Sequence, residues 1–197
     1  MSERARSQEE TRQRIVEATM HLHEELGPRA TSISAIAERA GVQRLTVYRH
    51  FPDETAVFQA CTSHWLSLNP PPDPSSWKSI EDPLLRLRTA VAAFYSYFSR
   101  TRRMWSVSHR DVADVPALRG PMAEFLGFLD MVATDLTEQF QNVGGRRPLL
   151  AATIGHLLSF PTWEDLEGRH LDDQAKIAVA EHWVRGVLRD GPQEDPA

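Results

Sequence analysis

Apolar residues recur along most of the chain at intervals of three and four, which is the spacing of a helix with one buried face. The first such segment covers residues 8–26 and is ended by Gly27-Pro28. Its apolar face is formed by Ile15, Ala18, Leu22 and Leu26. No stretch alternates convincingly with period two, so a sheet is not expected and the pattern predicts an all-α fold.

Residues 31–54 predict two short helices joined by a tight turn. Thr31 or Ser32 can cap a helix that runs to about Ala40, with its apolar side chains turned inward. Those side chains are Ile33, Ile36, Ala37 and Ala40. Gly41 can take the positive φ that the turn requires. The next helix, about Arg44–His50, turns Val47 and Phe51 inward and leaves polar residues facing out.

A fourth helix is predicted from about Glu54 to Leu68, and the proline-rich segment 69–77 then breaks the chain. Beyond this boundary the same periodicity predicts five helices and a polar tail, 190–197, that is expected to fray. The five helices are at about 82–101, 104–112, 116–142, 146–160 and 171–189.

Composition narrows the class of protein. With 197 residues, 41% of them apolar, the chain can bury a sizeable core, and no apolar run approaches the roughly 18–20 residues that span a bilayer. The charged N-terminus has no apolar core of a secretory signal, and a single cysteine, Cys61, suits the reducing cytoplasm. We expect Cys61 to be a small buried apolar residue.

The chain carries no recognisable catalytic motif. It has no zinc pattern, HExxH, GxSxG, P-loop or dinucleotide glycine motif, and His21 and His23 point in different directions on a helix. Neither a metal nor another cofactor is expected, and an enzyme is disfavoured. Two other classes stay open: an enzyme or ligand-binding protein that uses an aromatic cavity without reading DNA, and a helical module that binds protein partners.

Charge is unevenly distributed, although the net charge is −5. Only Lys78 and Lys176 among the 22 basic residues are lysine, and arginines gather at the N-terminus and on the third predicted helix. The basic groups therefore lie where DNA binding would need them.

Residues 12–60 closely resemble the DNA-binding domain of the tetracycline-repressor (TetR) family. The matching positions are Ile15, Ala18, Thr31-Ser32-Ile33, Ile36-Ala37, Ala40-Gly41-Val42, Thr46-Val47-Tyr48, His50-Phe51 and Asp53. The rest of the chain matches in length, helical content and helix order. The resemblance implies an N-terminal helix-turn-helix domain, 1–53, and a C-terminal helical domain, 54–197, for ligand binding and dimerisation.

The resemblance also implies a homodimer that places one helix of each subunit in a major groove of a palindromic operator. Base edges would be approached by Gln43, Arg44, Leu45 and Thr46. Bases or phosphates would be contacted by Tyr48, Arg49 and His50, and a phosphate by Thr31 and Ser32 at a helix N-terminus. Arg44 is the strongest candidate for base reading, because its guanidinium can bind guanine O6 and N7 as a fork.

Two positions depart from the family pattern. Glu54 stands where members often carry a lysine that holds a phosphate, and Leu45 is bulkier than the small residue common there. Three N-terminal arginines offer a substitute as an arm along the DNA backbone or minor groove. They are Arg4, Arg6 and Arg12; a solvated disordered tail is the alternative for this segment.

Aromatic residues crowd the second part of the chain, where the family resemblance implies a ligand cavity. We expect a small hydrophobic effector with apolar walls formed by Phe94, Phe98, Phe125 and Leu129, and with polar tips from Tyr97, Trp105 and His109. Core packing is the competing interpretation of each aromatic residue. The helix at 104–112 and helix four would link this cavity to the DNA-binding helix.

Apolar stripes on the last two predicted helices are expected to form a four-helix dimer interface, although periodicity alone does not separate interface from core. They consist of Leu149, Ile154, Leu157, Leu158, Ile177, Ala180, Trp183, Val184 and Val187. The sequence thus predicts a DNA-binding transcriptional regulator, most simply a repressor released by a ligand.

Overall fold

The computed structural model describes residues 3–189, and all regular secondary structure within that range is helical, which confirms the all-α prediction. The helices are α1 (Glu3–Leu26), α2 (Ile33–Ala40), α3 (Arg44–His50), α4 (Glu54–Leu68), α5 (Ser75–Lys78), α6 (Pro83–Asp111), α7 (Pro116–Glu138), α8 (Arg147–Leu157), α9 (Phe160–Gly168) and α10 (Asp173–Arg189). The predicted frayed tail, 190–197, lies outside the described residues. Within them, no helix is both long and apolar enough to cross a membrane.

The chain divides into two compact units. Unit one contains the chain up to Pro70 together with Thr101–Glu124, and unit two contains Pro71–Arg100 and the chain from Phe125 onward. Helices α6 and α7 each contribute residues to both units. The functional division at residues 53 and 54 stays a prediction.

The core of unit one is built by the inward faces of α1 to α4. Ile36 and Val47 are fully buried, and Phe51 and Val57 close the cluster on either side of the α3–α4 turn. The predicted inward faces of α2 and α3 are therefore confirmed. Leu26 is the exception on α1, because it is 47% exposed at the last turn, beyond the reach of the core.

Local signals determine the short helices as the sequence predicts. Ser32 caps α2 by accepting a hydrogen bond from the Ala35 N–H, and Gly41 ends it with φ 66°. Asp53 caps α4 in the same way by accepting from the Ala56 N–H. Each cap satisfies a backbone donor that the first turn of a helix leaves without a partner.

The N-terminal arm expected from Arg4, Arg6 and Arg12 is not an extended segment. Helix α1 begins at Glu3 rather than near residue 8, so these arginines project from a helix. Arg14 further ties α1 to the end of α2 by donating to the Ala40 carbonyl at 3.3 Å. Residues 3–7 therefore extend the first helix of unit one.

The predicted helices beyond residue 80 were wrong in two places. Residues 83–111 form the single helix α6, with no break near 102–103, because nothing there interrupts the backbone hydrogen bonds. The helix expected at 146–160 ends at Leu157, and α9 follows as a separate element. Helix α9 starts with Ser159 as its N-cap and Pro161 in its first turn. The apolar periodicity used for the prediction did not indicate this start.

Unit two is packed around an aromatic cluster. Phe98 is fully buried, with its ring centroid 5.5 Å from Phe160 and 6.1 Å from Trp163. Phe94 lies 6.0 Å from Trp77, which is also fully buried. Aromatic pairs at these separations add to the stability that comes from burial alone. The aromatic residues of this unit therefore form its core, whatever further role some of them have.

His23 and Cys61 meet in the core of unit one, where α1 packs on α4. Cys61 Sγ lies 3.6 Å from His23 Nδ1, and the Phe58 ring meets the imidazole edge-on at 4.4 Å. Burial raises the pKa of the Cys61 thiol to about 12, which keeps it protonated and a poor nucleophile. The expected role of Cys61 as a buried apolar residue is confirmed.

His23 makes the stability of unit one sensitive to acid. Burial lowers the pKa of His23 from 6.5 to about 4, since the charged ring loses its hydration. The neutral, buried His23 therefore contributes fully to the free energy of unfolding above pH 6.5. This contribution, about 3 kcal/mol at most, is lost as the pH falls toward 4. Chemical denaturation between pH 4 and 7 should show this loss in the wild type and in His21→Gln, whose ring is exposed. A His23→Leu variant with an unchanged pH slope would contradict the assignment.

Candidate nucleic-acid interface

Helix α3 has a polar outer face and is held in place by buried apolar side chains on its inner face. Val47 and Phe51 anchor it in the core, whereas Arg44 and Arg49 are exposed and Leu45 is 59% exposed. Gln43 is the N-cap residue, and its exposed side chain makes no capping hydrogen bond. The helix therefore offers several long side chains to a partner while its own axis is fixed by packing.

Arg44 and Tyr48 lie one turn apart on that face and contact each other. The Arg44 Nη2 donates to the Tyr48 hydroxyl at 3.4 Å, and the guanidinium carbon lies 5.8 Å from the Tyr48 ring centroid. Tyr48 is 40% exposed. This contact limits the rotamers of Arg44, so its planar fork is partly oriented before any ligand arrives.

The start of α2 places its two predicted phosphate ligands differently. Thr31 is buried, and its hydroxyl donates to the Gly27 carbonyl at 2.9 Å. Ser32 is exposed, and because its oxygen accepts from the Ala35 N–H, its own hydroxyl hydrogen can point outward. Ser32 is thus the accessible member of the pair, and Thr31 fixes the turn that carries it.

Glu54 lies at the first position of α4, directly after the Asp53 cap. Its side chain is exposed. A carboxylate there is favoured by the positive end of its own helix and opposes an approaching phosphate. The backbone binding of this surface must therefore come from other side chains.

A buried carboxylate joins the end of α6 to the turn that precedes α2. Asp111 is 2% exposed, accepts from the Arg29 backbone N–H at 3.1 Å and receives two bonds from Arg110. Arg110 Nη2 also donates to the Leu26 carbonyl at 2.9 Å, which caps the end of α1. These bonds hold the pKa of Asp111 below its ordinary value.

Gly27 is required at this junction. Its φ of 93° is a conformation that other residues rarely adopt, and a Cβ there would collide with the Arg110 guanidinium and the Asp111 carboxylate. We call the set Arg110, Asp111, Gly27 and Leu26 the α6 latch. No local sequence pattern indicates this latch, because Arg110 and Asp111 come more than 80 residues after Leu26 and Gly27.

The α6 latch is expected to contribute to the stability of unit one. An Asp111→Asn variant should lose about 1–3 kcal/mol of unfolding free energy. An amide has one acceptor oxygen where the carboxylate has two, so a donor from Arg29 or Arg110 would lose its partner. Asp114→Asn is the matched control, because its ion pair with Arg29 is exposed and pairs of this kind contribute about 0–1 kcal/mol. Urea denaturation at pH 7 measures both variants. Equal losses would show that the buried carboxylate has no special role.

The residues predicted to line an effector site fall in both units. In unit two, Tyr97 lies 5.7 Å from Phe98 and 6.3 Å from Phe125 between ring centroids. Phe94 and Leu129 are buried in the same unit. In unit one, the rings of Trp105 and His109 lie 6.1 Å apart. The structure therefore brings the predicted residues of unit two together in one cluster, and it brings Trp105 and His109 together as a separate pair in unit one.

Helices α8 and α10 divide the predicted interface stripe into an inner and an outer half. Ile154 and Val184 are fully buried between α8 and α10. The outer half includes Leu149, which is 57% exposed, and Trp183, which is 42% exposed and stacks on His156 with centroids 6.0 Å apart. The buried members are therefore core residues, and the exposed ones stay available to a partner.

Two short helices joined by a glycine turn, α2 and α3, with a polar, arginine-bearing outer face on α3, define a helix-turn-helix DNA-binding protein. Residues 15–61 match the family described as bacterial regulatory proteins, tetR family. Over 200 aligned residues the chain is 37% identical to the HTH-type transcriptional regulator SrpR of Pseudomonas putida, covering 94% of this chain and 88% of that protein. The chain belongs to the TetR family of transcriptional regulators.

Solved structures share the same fold. A TetR-like regulator from Rhodococcus sp. RHA1 matches with a TM-score of 0.65 at 18% identity, covering 92% of this chain and 97% of that one. NalD of Pseudomonas aeruginosa, the secondary repressor of the MexAB-OprM multidrug efflux pump, matches with a TM-score of 0.60 at 24% identity, covering 94% and 100%. At these identities the likeness extends to the fold alone.

Proposed function

We propose that this regulator is a homodimeric repressor that binds a palindromic operator through α3 and is released by a small hydrophobic effector. The observation that carries the DNA-reading part is the exposed face of α3, anchored by Val47 and Phe51 and headed by the Arg44–Tyr48 pair. A helix held this firmly can direct a guanidinium fork at a guanine with little loss of freedom on binding.

Side chains on this face have separate roles in the proposal. Gln43, Arg44 and Leu45 approach base edges, with Leu45 packing on a thymine methyl. Thr46 is half-buried at the edge of the face and assists them. Tyr48, Arg49, His50 and Ser32 position the protein by contacting phosphates or sugars, and Thr31 supports Ser32 from within the turn.

The outer face of α8 and α10 supports dimerisation with a second copy of the chain. It forms an open, largely apolar groove with large side chains beside small ones, so that two such faces can pack by two-fold symmetry. The groove is lined by Ala152, Thr153, His156, Trp183, Gly186 and Val187. In such a dimer the two α3 helices would enter successive major grooves about 34–36 Å apart.

The aromatic cluster of unit two supports an apolar effector. Phe94, Phe98, Phe125 and Leu129 offer walls without hydrogen-bonding groups, and Tyr97 adds a hydroxyl. Trp105 and His109 belong to unit one, and their contact with an effector stays a prediction. A ligand of this class gains most of its affinity from apolar burial and its orientation from a few polar groups.

Helix α6 supports a route from effector to DNA. Its residues up to Arg100 belong to the aromatic unit, and its last turn carries the α6 latch on the turn before α2. An effector that binds better when the latch is displaced would shift the population away from the DNA-binding form, by no more than its difference in affinity for the two forms. Repression is proposed as the sign of regulation, for which NalD is a precedent.

Selection of operators from random DNA by the full-length protein tests this function. We expect an inverted repeat with half-sites one helical turn apart, followed by release from that DNA on addition of members of a hydrophobic compound panel. Enrichment of single, unpaired half-sites would contradict the dimeric arrangement. Failure to enrich any sequence would contradict DNA reading itself.

A further inference from the structure

The first turns of α1 and the last turn of α3 form the two walls of an open groove. Arg12 and Glu9 contribute from α1, and Thr46, Arg49 and His50 contribute from α3. Since α1 is helical from Glu3, the α1 side chains project from a rigid element rather than from an arm. We call this the α1–α3 groove.

Arg12 is held in position within the groove by an aromatic ring. Its guanidinium carbon lies 4.4 Å from the ring centroid of Phe51, which is buried and therefore fixed. A guanidinium over a ring face gains about 0.5–1 kcal/mol at partly exposed sites. The contact also restricts a side chain that would otherwise have many rotamers, so its orientation is set before binding.

The same guanidinium has unused hydrogen-bonding capacity. The Arg12 Nη1 is buried and has no hydrogen-bond partner among the described residues, 3–189. A buried donor without an acceptor costs free energy, and the cost is greatest for a charged group. An acceptor from outside the chain would remove that cost, so the position of this atom favours the binding of such a ligand. Arg49 is exposed and His50 half-buried on the opposite wall. An anionic, oxygen-rich ligand fits this set of donors.

The geometry points to a phosphodiester of the operator backbone as that ligand, held by Arg12 from α1 and by Arg49 and His50 from α3. This inference rests on the proposed entry of α3 into the major groove and adds a site that α3 alone does not form. Thr46 lies both in the α1–α3 groove and at the edge of the base-reading face, which places the phosphate beside the bases being read. Glu9, on the same wall as Arg12, opposes the phosphate and moderates its binding.

Salt dependence of operator binding tests the role of Arg12. Arg12→Met keeps an unbranched side chain over Phe51 and removes the charge and the donors. Each subunit should release one counterion fewer, so the slope of log K against log salt should fall by about 2 for the dimer. At about 0.15 M salt this corresponds to about 10- to 30-fold weaker binding, with discrimination between operator and scrambled DNA unchanged. Arg12→Lys should retain most of the slope.

Two further experiments distinguish a backbone phosphate from other anions, and a third tests the effect of Glu9. Single methylphosphonate linkages, which are neutral, are introduced one at a time along one half-site. At one of these linkages Arg12→Met should bind as tightly as the wild type, because the neutral linkage has already removed the charge that Arg12 contacts. Glu9→Gln should tighten binding about threefold through the removal of repulsion. Millimolar inorganic phosphate should not compete beyond its ionic strength; stronger competition would show that the groove selects free phosphate instead.

The outcomes separate this inference from the proposed function. If Arg12→Met leaves slope and affinity unchanged while the wild type still selects its operator, the phosphate site is wrong and α3 readout stands. If no linkage shows coupling to Arg12, the contact is not to the backbone. If the wild type selects no operator, both the function and the site are overturned.

Discussion

Arg44→Ala is expected to weaken binding to the selected operator by about 30-fold to 10⁴-fold, because a guanidinium fork on guanine contributes about 1–3 kcal/mol and the dimer uses it twice. Arg44 is exposed at the start of α3, and its contact with Tyr48 orients it without occupying all of its donors. Anisotropy titrations of labelled operator measure the loss.

Two matched variants isolate base reading from charge. Arg39→Ala removes the same charge from α2, where Arg39 is bridged to Glu25 at 2.6 Å, and should change operator affinity little. Arg44→Lys keeps the charge and loses the fork, so it should retain the salt slope and lose discrimination between bases. Unchanged affinity of Arg44→Ala, with dimerisation intact, would show that Arg44 does not read the operator.

Trp183→Asp is expected to convert the dimer into monomers and to lower operator affinity by more than about 100-fold. Exposed tryptophans are frequent anchors of interfaces, where their truncation costs about 2–4 kcal/mol, and two-fold symmetry places the change twice in one interface. A buried aspartate adds the penalty of an unpaired charge. Sedimentation velocity gives the oligomeric state, and circular dichroism checks that the helices remain.

Met131→Asp is the control for this surface. Met131 is an exposed apolar residue on α7 and lies outside the α8–α10 groove. Its replacement should leave the oligomeric state and DNA binding as they are. A Trp183→Asp protein that remains dimeric would place the interface elsewhere on the surface.

The sequence was most informative where structure is determined locally. Ser32, Gly41 and Asp53 specify the helix-turn-helix through caps and a left-handed turn, so the bounds of α2, α3 and α4 agree with the sequence pattern. The TetR resemblance rested on the same residues, and the family assignment confirmed it.

Long-range contacts were beyond the reach of the sequence. Arg110 contacts the Leu26 carbonyl across 84 positions, and Arg12 contacts Phe51 across 39, so no local pattern signals either. Periodicity likewise did not separate Val184 in the core from Trp183 at the surface, since both continue one apolar stripe. Only packing decides between core and interface in such a stripe.

The central claim is that α3 reads DNA sequence, and the affinity ratio between selected operator and scrambled DNA, measured for wild type and Arg44→Lys at one salt concentration, tests it most directly. The wild type should prefer its operator by at least about 10³-fold, as specific DNA-binding proteins do. Arg44→Lys should lose most of that preference while still binding scrambled DNA as the wild type does. Equal ratios for the two proteins would contradict the claim.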